Sequence, residues 1–274
     1  MKPVLETRLT GDFLAETEIR GTVHSKFRRT ANLAFPGRLI TLALPEVPGL
    51  PDSITVSREV LEAVGCVPEG ASVVKKGLLF CLDGGDALFS LEGADRCSDA
   101  MPAAERPVPV QQLLEAAGPL LKDSGFSRMT PYVREELFGR LHAFCQSLSG
   151  GGTEAALLGC AGIGCGLTPS SDDALVGILA AQAGGILLRG RRLNPHRLWS
   201  VLEGRTTCVS RKYLCCAAER RFSQPLRALF DDHSPDTLES RLKAAAAVGS
   251  TSGRDTLTGI VLACRFRQME ERNA

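Results

Sequence analysis

The chain has 274 residues, enough for one large domain or two modest ones, each with a core of its own. Its composition, 44% hydrophobic and 23% charged, is that of a globular protein and excludes a disordered one. The 32 Lys and Arg residues nearly balance 31 Asp and Glu, so the basic excess that grips a phosphate backbone is missing and nucleic acid is not an expected partner.

Charges at Lys2 and Glu6 interrupt the stretch where a secretory signal would be uniformly apolar. The most apolar run, Ala174 to Leu188, contains Gln182 and three glycines and is shorter than the roughly 18 apolar residues of a membrane span. It reads as a core helix, with no membrane partner expected. A cytoplasmic location follows, and with it ten cysteines held as reduced thiols. There is no Cys-x-x-Cys pair, and His24, His142, His196 and His233 are scattered, which argues against structural zinc. Cys215 and Cys216 are expected to pack as small hydrophobes.

From Glu16 to about Leu91 the pattern is β. Phe27, Ala31 and Leu33 lead into the run Arg38 to Leu44, and Ser53 to Val56 follow a Pro/Gly-rich turn from Pro45 to Pro51. Val73-Val74 and Leu78 to Leu82 come next. Asp83-Gly84-Gly85-Asp86 carry the residues of a hairpin turn before Ala87 to Leu91. Closely spaced short strands suggest a small barrel or sandwich. Asp95 to Pro109, with three prolines, reads as a linker.

Beyond it the periodicity is helical. Gln111 to Leu121 and Tyr132 to Leu148 are apolar at i, i+3 and i+4, the second through Val133, Leu137, Leu141 and Phe144. Ser149 to Gly152 stop that helix before Ala155 to Leu158. Asn194-Pro195 and Ser234-Pro235 fit N-caps followed by proline at the first helical position. The expected fold class is thus α+β: a β-rich domain with its linker over 1–105, then a mainly α-helical domain over 106–274.

Three motifs in the helical half carry chemistry. The first runs from Gly162 through Gly164, Gly166, Thr168, Pro169, Ser170 and Ser171 to Asp172-Asp173 and enters the core helix. Its glycines permit a bend and a close approach of a ligand to the main chain. Thr168 is the expected N-cap with Pro169 at the first helical position, leaving the amides of Ser170 and Ser171 free to face an anion. The plainer alternative is capping alone, since acidic residues stabilise a helix N-terminus. The second motif, Gly249 to Thr256, contains Ser252, Gly253, Arg254 and Asp255 ahead of the apolar stretch Leu257 to Cys264. Ser252 and Asp255 have capping-box spacing, while Gly253 and Gly259 suit close helix packing. The third is Gly204-Arg205-Thr206-Thr207 followed by Ser210, weak by itself because helical threonines often bond a preceding carbonyl.

Together the three motifs resemble the AllH-type family of oxamate carbamoyltransferase subunits. The resemblance is carried by Gly166 to Asp173, by Thr206-Thr207 and by Ser252 to Thr256, with a fainter match over His24 to Arg29 and Asn32-Leu33. Ser171 stands where the family pattern has glycine, and Ser250 where it has histidine, so no proton-transfer role carries over to position 250. The resemblance implies a subunit that works with other subunits on carbamoyl phosphate and a small amide-bearing anion such as oxamate, within purine and allantoin degradation. Helix N-termini with Arg205, Arg254 or Arg28 would hold phosphate or carboxylate, while Asp172, Asp173 or Asp255 accept from amide nitrogens. The implied ligand-binding set is Gly164, Gly166, Thr168, Ser170, Asp172, Asp173, Arg205, Thr206, Thr207, Ser252, Gly253, Asp255 and Thr256, with no catalytic base assigned. Either this division of roles keeps the aspartates from repelling phosphate, or a Mg²⁺ ion bridges carboxylates to phosphate oxygens, and the sequence leaves both open. An alternative places Mg²⁺ among Asp172, Asp173 and Asp255 in a hydrolase of an anionic or phosphorylated small molecule. A third possibility is a ligand-binding or scaffold subunit without activity.

Overall fold

The computed structural model describes residues 4–82, 87–102, 108–187, 193–231 and 235–273. The chain divides into two compact units, Met1–Asp99 and Ala100–Ala274.

The first unit is a curled half-barrel of nine strands. These are β1 (Val4–Thr7), β2 (Glu18–Lys26), β3 (Thr30–Phe35), β4 (Arg38–Ala43), β5 (Ser53–Val56), β6 (Ser72–Lys76), β7 (Leu79–Leu82), β8 (Ala87–Ser90) and β9 (Asp95–Arg96). They lie in the order β8-β7-β6-β2-β3-β4-β5-β1-β9. Pairing is antiparallel except for β4 with β5 and β1 with β9. A side chain at Gly21 in β2 would be driven into the Ala34 carbonyl and the Phe35 ring, so a glycine lets the sheet curl tightly there. The concave core is aromatic. Phe13 on the short helix α1 (Gly11–Ala15), Phe35, Phe80 and Phe89 form a chain of ring contacts with centroids 5.3, 6.2 and 4.6 Å apart.

The β texture conceals one helix, α2 (Arg58–Gly65), whose Val60, Leu61 and Val64 enter this core. Two further differences concern the ends of the unit. Val4 to Thr7, outside the expected β region, pair with β5. Asp95 and Arg96, expected to open the linker, pair with β1 instead. The expected turn Asp83 to Asp86 and the middle of the linker lie outside the described residues, as does the Ser234 cap. In the faint motif, the β2 register shift between Val23 and Ser25 leaves Ser25 Oγ bonded to both His24 Nδ1 (3.1 Å) and Asn32 Nδ2 (3.0 Å).

The second unit is helical: α3 (Val110–Ala117), α4 (Pro131–Gly150), α5 (Thr153–Cys160), α6 (Ser170–Ala183), α7 (Pro195–Val201), α8 (Cys208–Ala218), α9 (Gln224–Ala228), α10 (Pro235–Ala246) and α11 (Ser252–Asn273). Between α3 and α4 lies a 3-10 turn, Gly125–Arg128. Helix α4 buries Leu137, Leu141 and Phe144 as its periodicity predicts, but Val133 is exposed in its first turn. The cap at Asn194 is present, its Oδ1 accepting from Arg197 N at 3.1 Å.

Helix α6 is apolar on nearly every side and sits at the centre, as such a helix must. Its principal partner is α11. Two glycines make that packing possible, and a third does the same between α11 and α10. A Cβ on Gly177 would run into the Thr256 carbonyl, one on Gly259 into the Ala174 carbonyl, and one on Gly253 into the Ala245 carbonyl of α10. The two helices therefore meet backbone to backbone, which brings their N-terminal turns side by side. All ten cysteines are thiols, and burial pushes Cys145 and Cys264 up to about 12 and Cys160 up to about 11. Among the described residues no helix is long and apolar enough to cross a membrane.

Candidate functional site

The Gly-rich segment folds back over the first turn of α6. Gly162, Gly164 and Gly166 all have positive φ (82°, 134° and 93°), a region that side chains resist. Gly162 also lies against the Arg205 carbonyl, and a Cβ on Gly164 would stand 2.5 Å from the Ser170 amide nitrogen. Two reciprocal bonds fasten the loop: Ile163 N donates to Ser171 Oγ (2.8 Å), and Ser171 N donates to the Ile163 carbonyl (3.0 Å). Serine at 171 thus ties the loop to the helix by a bond that glycine could not make.

This geometry corrects two expectations. Pro169, not Thr168, occupies the N-cap position, with no side-chain cap; the proline ring holds it extended at φ −52°, ψ 143°. The Ser171 amide is not available to an anion, because the Ile163 carbonyl takes it. Thr168 instead forms a 2.7 Å hydroxyl bond with Ser252 Oγ, 84 residues away at the start of α11. The capping box at Ser252 is likewise absent. Ser252 is already helical, and Asp255 turns its Oδ1 to Gly125 N in the 3-10 turn (2.7 Å).

The third motif closes the arrangement. Thr207 caps α8, accepting from Ser210 N at 3.1 Å, and donates to the Leu167 carbonyl. Thr206 donates to Asp172 Oδ2, while Asp172 Oδ1 accepts from Gly162 N at 2.7 Å. The first turns of α6, α8 and α11 are therefore linked by side chains from all three motifs.

The residues brought together divide by what they already bond. Asp172 spends one oxygen on each of two loops and so acts as a fastener. Asp255 fastens the Gly125 turn, and its Oδ2 is buried without a hydrogen-bond partner, packed so closely that a Cβ on Gly125 would stand only 2.7 Å from it. The Oδ2 of Asp173 is likewise buried and unpartnered, and unlike the other two carboxyls Asp173 is bonded only by hydroxyls, those of Thr168 and Ser252. Gly253 serves helix packing, and Thr256 Oγ1 bonds back to the Ser252 carbonyl at 2.8 Å. Arg205 is exposed, Gly164 and Gly166 lie on the exposed loop, and Arg254 Nη1 donates to the Ser250 carbonyl at 3.0 Å. Arg28 belongs to the β2–β3 turn of the first unit.

Burial raises all three carboxyls above the usual carboxylate range. Hydrogen bonds from Thr206 and Gly162 offset this for Asp172, and bonds to Ser170 and Gly125 do so for Asp255. Asp173 is raised well above the usual carboxylate range. Burial dominates, the hydroxyls of Thr168 and Ser252 counter it, and the neighbouring charges of Asp255 and Asp172 add to it. Tyr213 on α8, pushed upward by burial and by Cys216 and Asp173, faces the same place. Neither Tyr213 nor Gly125 was singled out from sequence. Tyr213 lies six residues beyond Thr207 on the helix that the threonine caps, and Gly125 sits in a 3-10 turn with no motif around it.

Among the described residues no group of three or more His, Cys, Asp or Glu side chains is placed to hold a metal ion. With both Asp172 oxygens bonded inside the protein, the three-aspartate Mg²⁺ arrangement does not fit this geometry.

Comparison with known families gives two matches. The model described as "Oxamate carbamoyltransferase subunit AllH" matches residues 160–264, a span containing all three motifs. The model described as "AllH family N-terminal domain" matches residues 4–96, the half-barrel. No solved structure matches the chain.

Proposed function

Since the chain belongs to the AllH family over both of its units, we propose that it serves as one subunit of an oxamate carbamoyltransferase and contributes the pocket that orients a small amide-bearing anion. The observation that carries this reading is the joining of the three motifs at the first turns of α6, α8 and α11, with the buried, unpartnered Oδ2 of Asp173 beside the paired hydroxyls of Thr168 and Ser252. Such a site offers hydrogen bonds of both senses within about one amide group's reach. In the degradative direction a phosphate oxygen attacks the carbamoyl carbon of carbamoylated oxamate. The C–N bond to oxamate then breaks, and the nitrogen takes a proton. Chemistry of this kind gains most from positioning and from stabilising developing negative charge. The residues here supply positioning, and the half-buried Arg254 in the first turn of α11 would be the source of positive charge.

The experiment is to isolate the tagged chain with its native partner subunits and follow carbamoyl phosphate released from carbamoylated oxamate and phosphate. Ser252→Ala, which removes one hydroxyl of the pair, is expected to lower turnover about tenfold, the worth of one well-placed hydrogen bond. A complex that holds this subunit but never makes carbamoyl phosphate would rule the reading out.

A further inference from the structure

Three buried carboxyls meet at the turns of α6 and α11, yet among the described residues none of them is in a salt bridge. Three uncompensated negative charges at such burial would be prohibitively costly, so the group keeps protons. Which member keeps one follows from the bonds. Asp172 accepts from a backbone amide and a threonine hydroxyl, and Asp255 accepts from a backbone amide, all of which favour the charged form. Asp173 has no backbone amide among its partners, only the hydroxyls of Thr168 and Ser252; its Oδ2 is buried and unpartnered, it is 7% exposed, and it feels both of the other carboxyls. The groups facing it are Asp172 on its own helix, Asp255 and Ser252 on α11, Thr168 on the loop and Tyr213 on α8. The α8 neighbour Lys212 has its Nζ over the Tyr213 ring, 5.5 Å from the centroid.

A neutral carboxylic acid has a donor and an acceptor side by side. That is the complement of a primary amide, which presents a carbonyl and an N–H along one edge. A carboxylate, by contrast, can only accept. Resting on the reading above, we propose that Asp173 recognises the primary amide of the ligand as a neutral acid, its O–H donating to the amide carbonyl and its C=O accepting from the amide N–H. The site would thereby select carbamoyl and oxamate-type groups over isosteres in which a methyl replaces the amino group.

The test uses paired probes in titration calorimetry on the full chain: oxamate against pyruvate, and carbamoyl phosphate against acetyl phosphate. The wild type is expected to favour each amide about tenfold or more, the consequence of one lost hydrogen bond and an unpaired buried group. Asp173→Asn retains a donor and an acceptor, so it should keep oxamate affinity within about threefold, whereas Asp173→Ala should lose it. Wild-type affinity should fall as pH rises and Asp173 gives up its proton; in Asp173→Asn that fall should be absent. Loss of binding in Asp173→Asn equal to that in Asp173→Ala would show that the charged form is the one used and would overturn the proposal. So would equal affinity for amide and methyl isosteres, or no affinity for either amide. Each of those results leaves carbamoyl transfer by the assembled complex intact. Amide selectivity in a complex without transfer would do the reverse.

Discussion

Neighbouring aspartates in one helical turn have opposite duties here, and mutation should separate them. Replacing Asp172 with alanine leaves the Gly162 amide and the Thr206 hydroxyl without their acceptor, at an expected cost of about 1–3 kcal/mol in unfolding free energy. Replacing Asp173 with asparagine leaves a neutral group with an acceptor for the Thr168 and Ser252 hydroxyls, so denaturant unfolding at neutral pH should show no loss. The pH dependence has a definite sign. Asp173 titrates higher in the folded chain than in the unfolded one, so the native state binds more protons there. Its favourable contribution is complete below the ordinary aspartate range and is lost as pH rises through the folded value. Stability of the helical unit should therefore decline between mildly acidic and alkaline pH in the wild type, and decline less in Asp173→Asn. Identical slopes in the two proteins would show that Asp173 is charged throughout.

At the scale of elements, the α6–α11 contact positions the site, and it depends on absent side chains. Gly259→Ala would force a methyl into the Ala174 carbonyl, on a rigid helix that cannot move aside locally. A loss of about 1–3 kcal/mol is expected by chemical denaturation, despite alanine's better helix propensity, which alone would give a gain of roughly 1 kcal/mol. A net gain in stability would mean that the helices are not in backbone contact.

Much of this architecture was legible in the sequence. Ser53 to Val56 and Ala87 to Leu91 read as strands because alternation and turn residues bounded them, and α4 was plain from Leu137, Leu141 and Phe144. Helix α2 was hidden because two turns carry too few apolar positions to stand out within a β-rich region. Strand β1 is four residues long, and its pairing with β5 and β9 is a long-range fact that local pattern does not encode. Thr168 was misread as a cap because Thr-Pro before a helix has that signature. What sequence could not show is that the Ser252 hydroxyl would be there to take its side chain. The motifs could be found, but which aspartate oxygens are spent on fastening depended on Gly125, Gly162 and Thr206 arriving from elsewhere.

For the whole molecule, family membership extends over the half-barrel and the helical unit alike, while the candidate site draws on helical-unit residues only. If the three motifs were separate helix ends, substitutions in them would act on a ligand independently. If they line one pocket, residues touching the same ligand are coupled. The deciding measurement is a double-mutant cycle on oxamate affinity by calorimetry, using wild type, Asp173→Ala, Ser252→Ala and the double variant, each checked for folding by circular dichroism. Each single substitution is predicted to weaken binding about tenfold, and the double variant to be much less than a hundredfold weaker, because the second loss removes an interaction already compromised. Losses that multiply to the full product, or single variants that bind as the wild type does, would contradict a shared site.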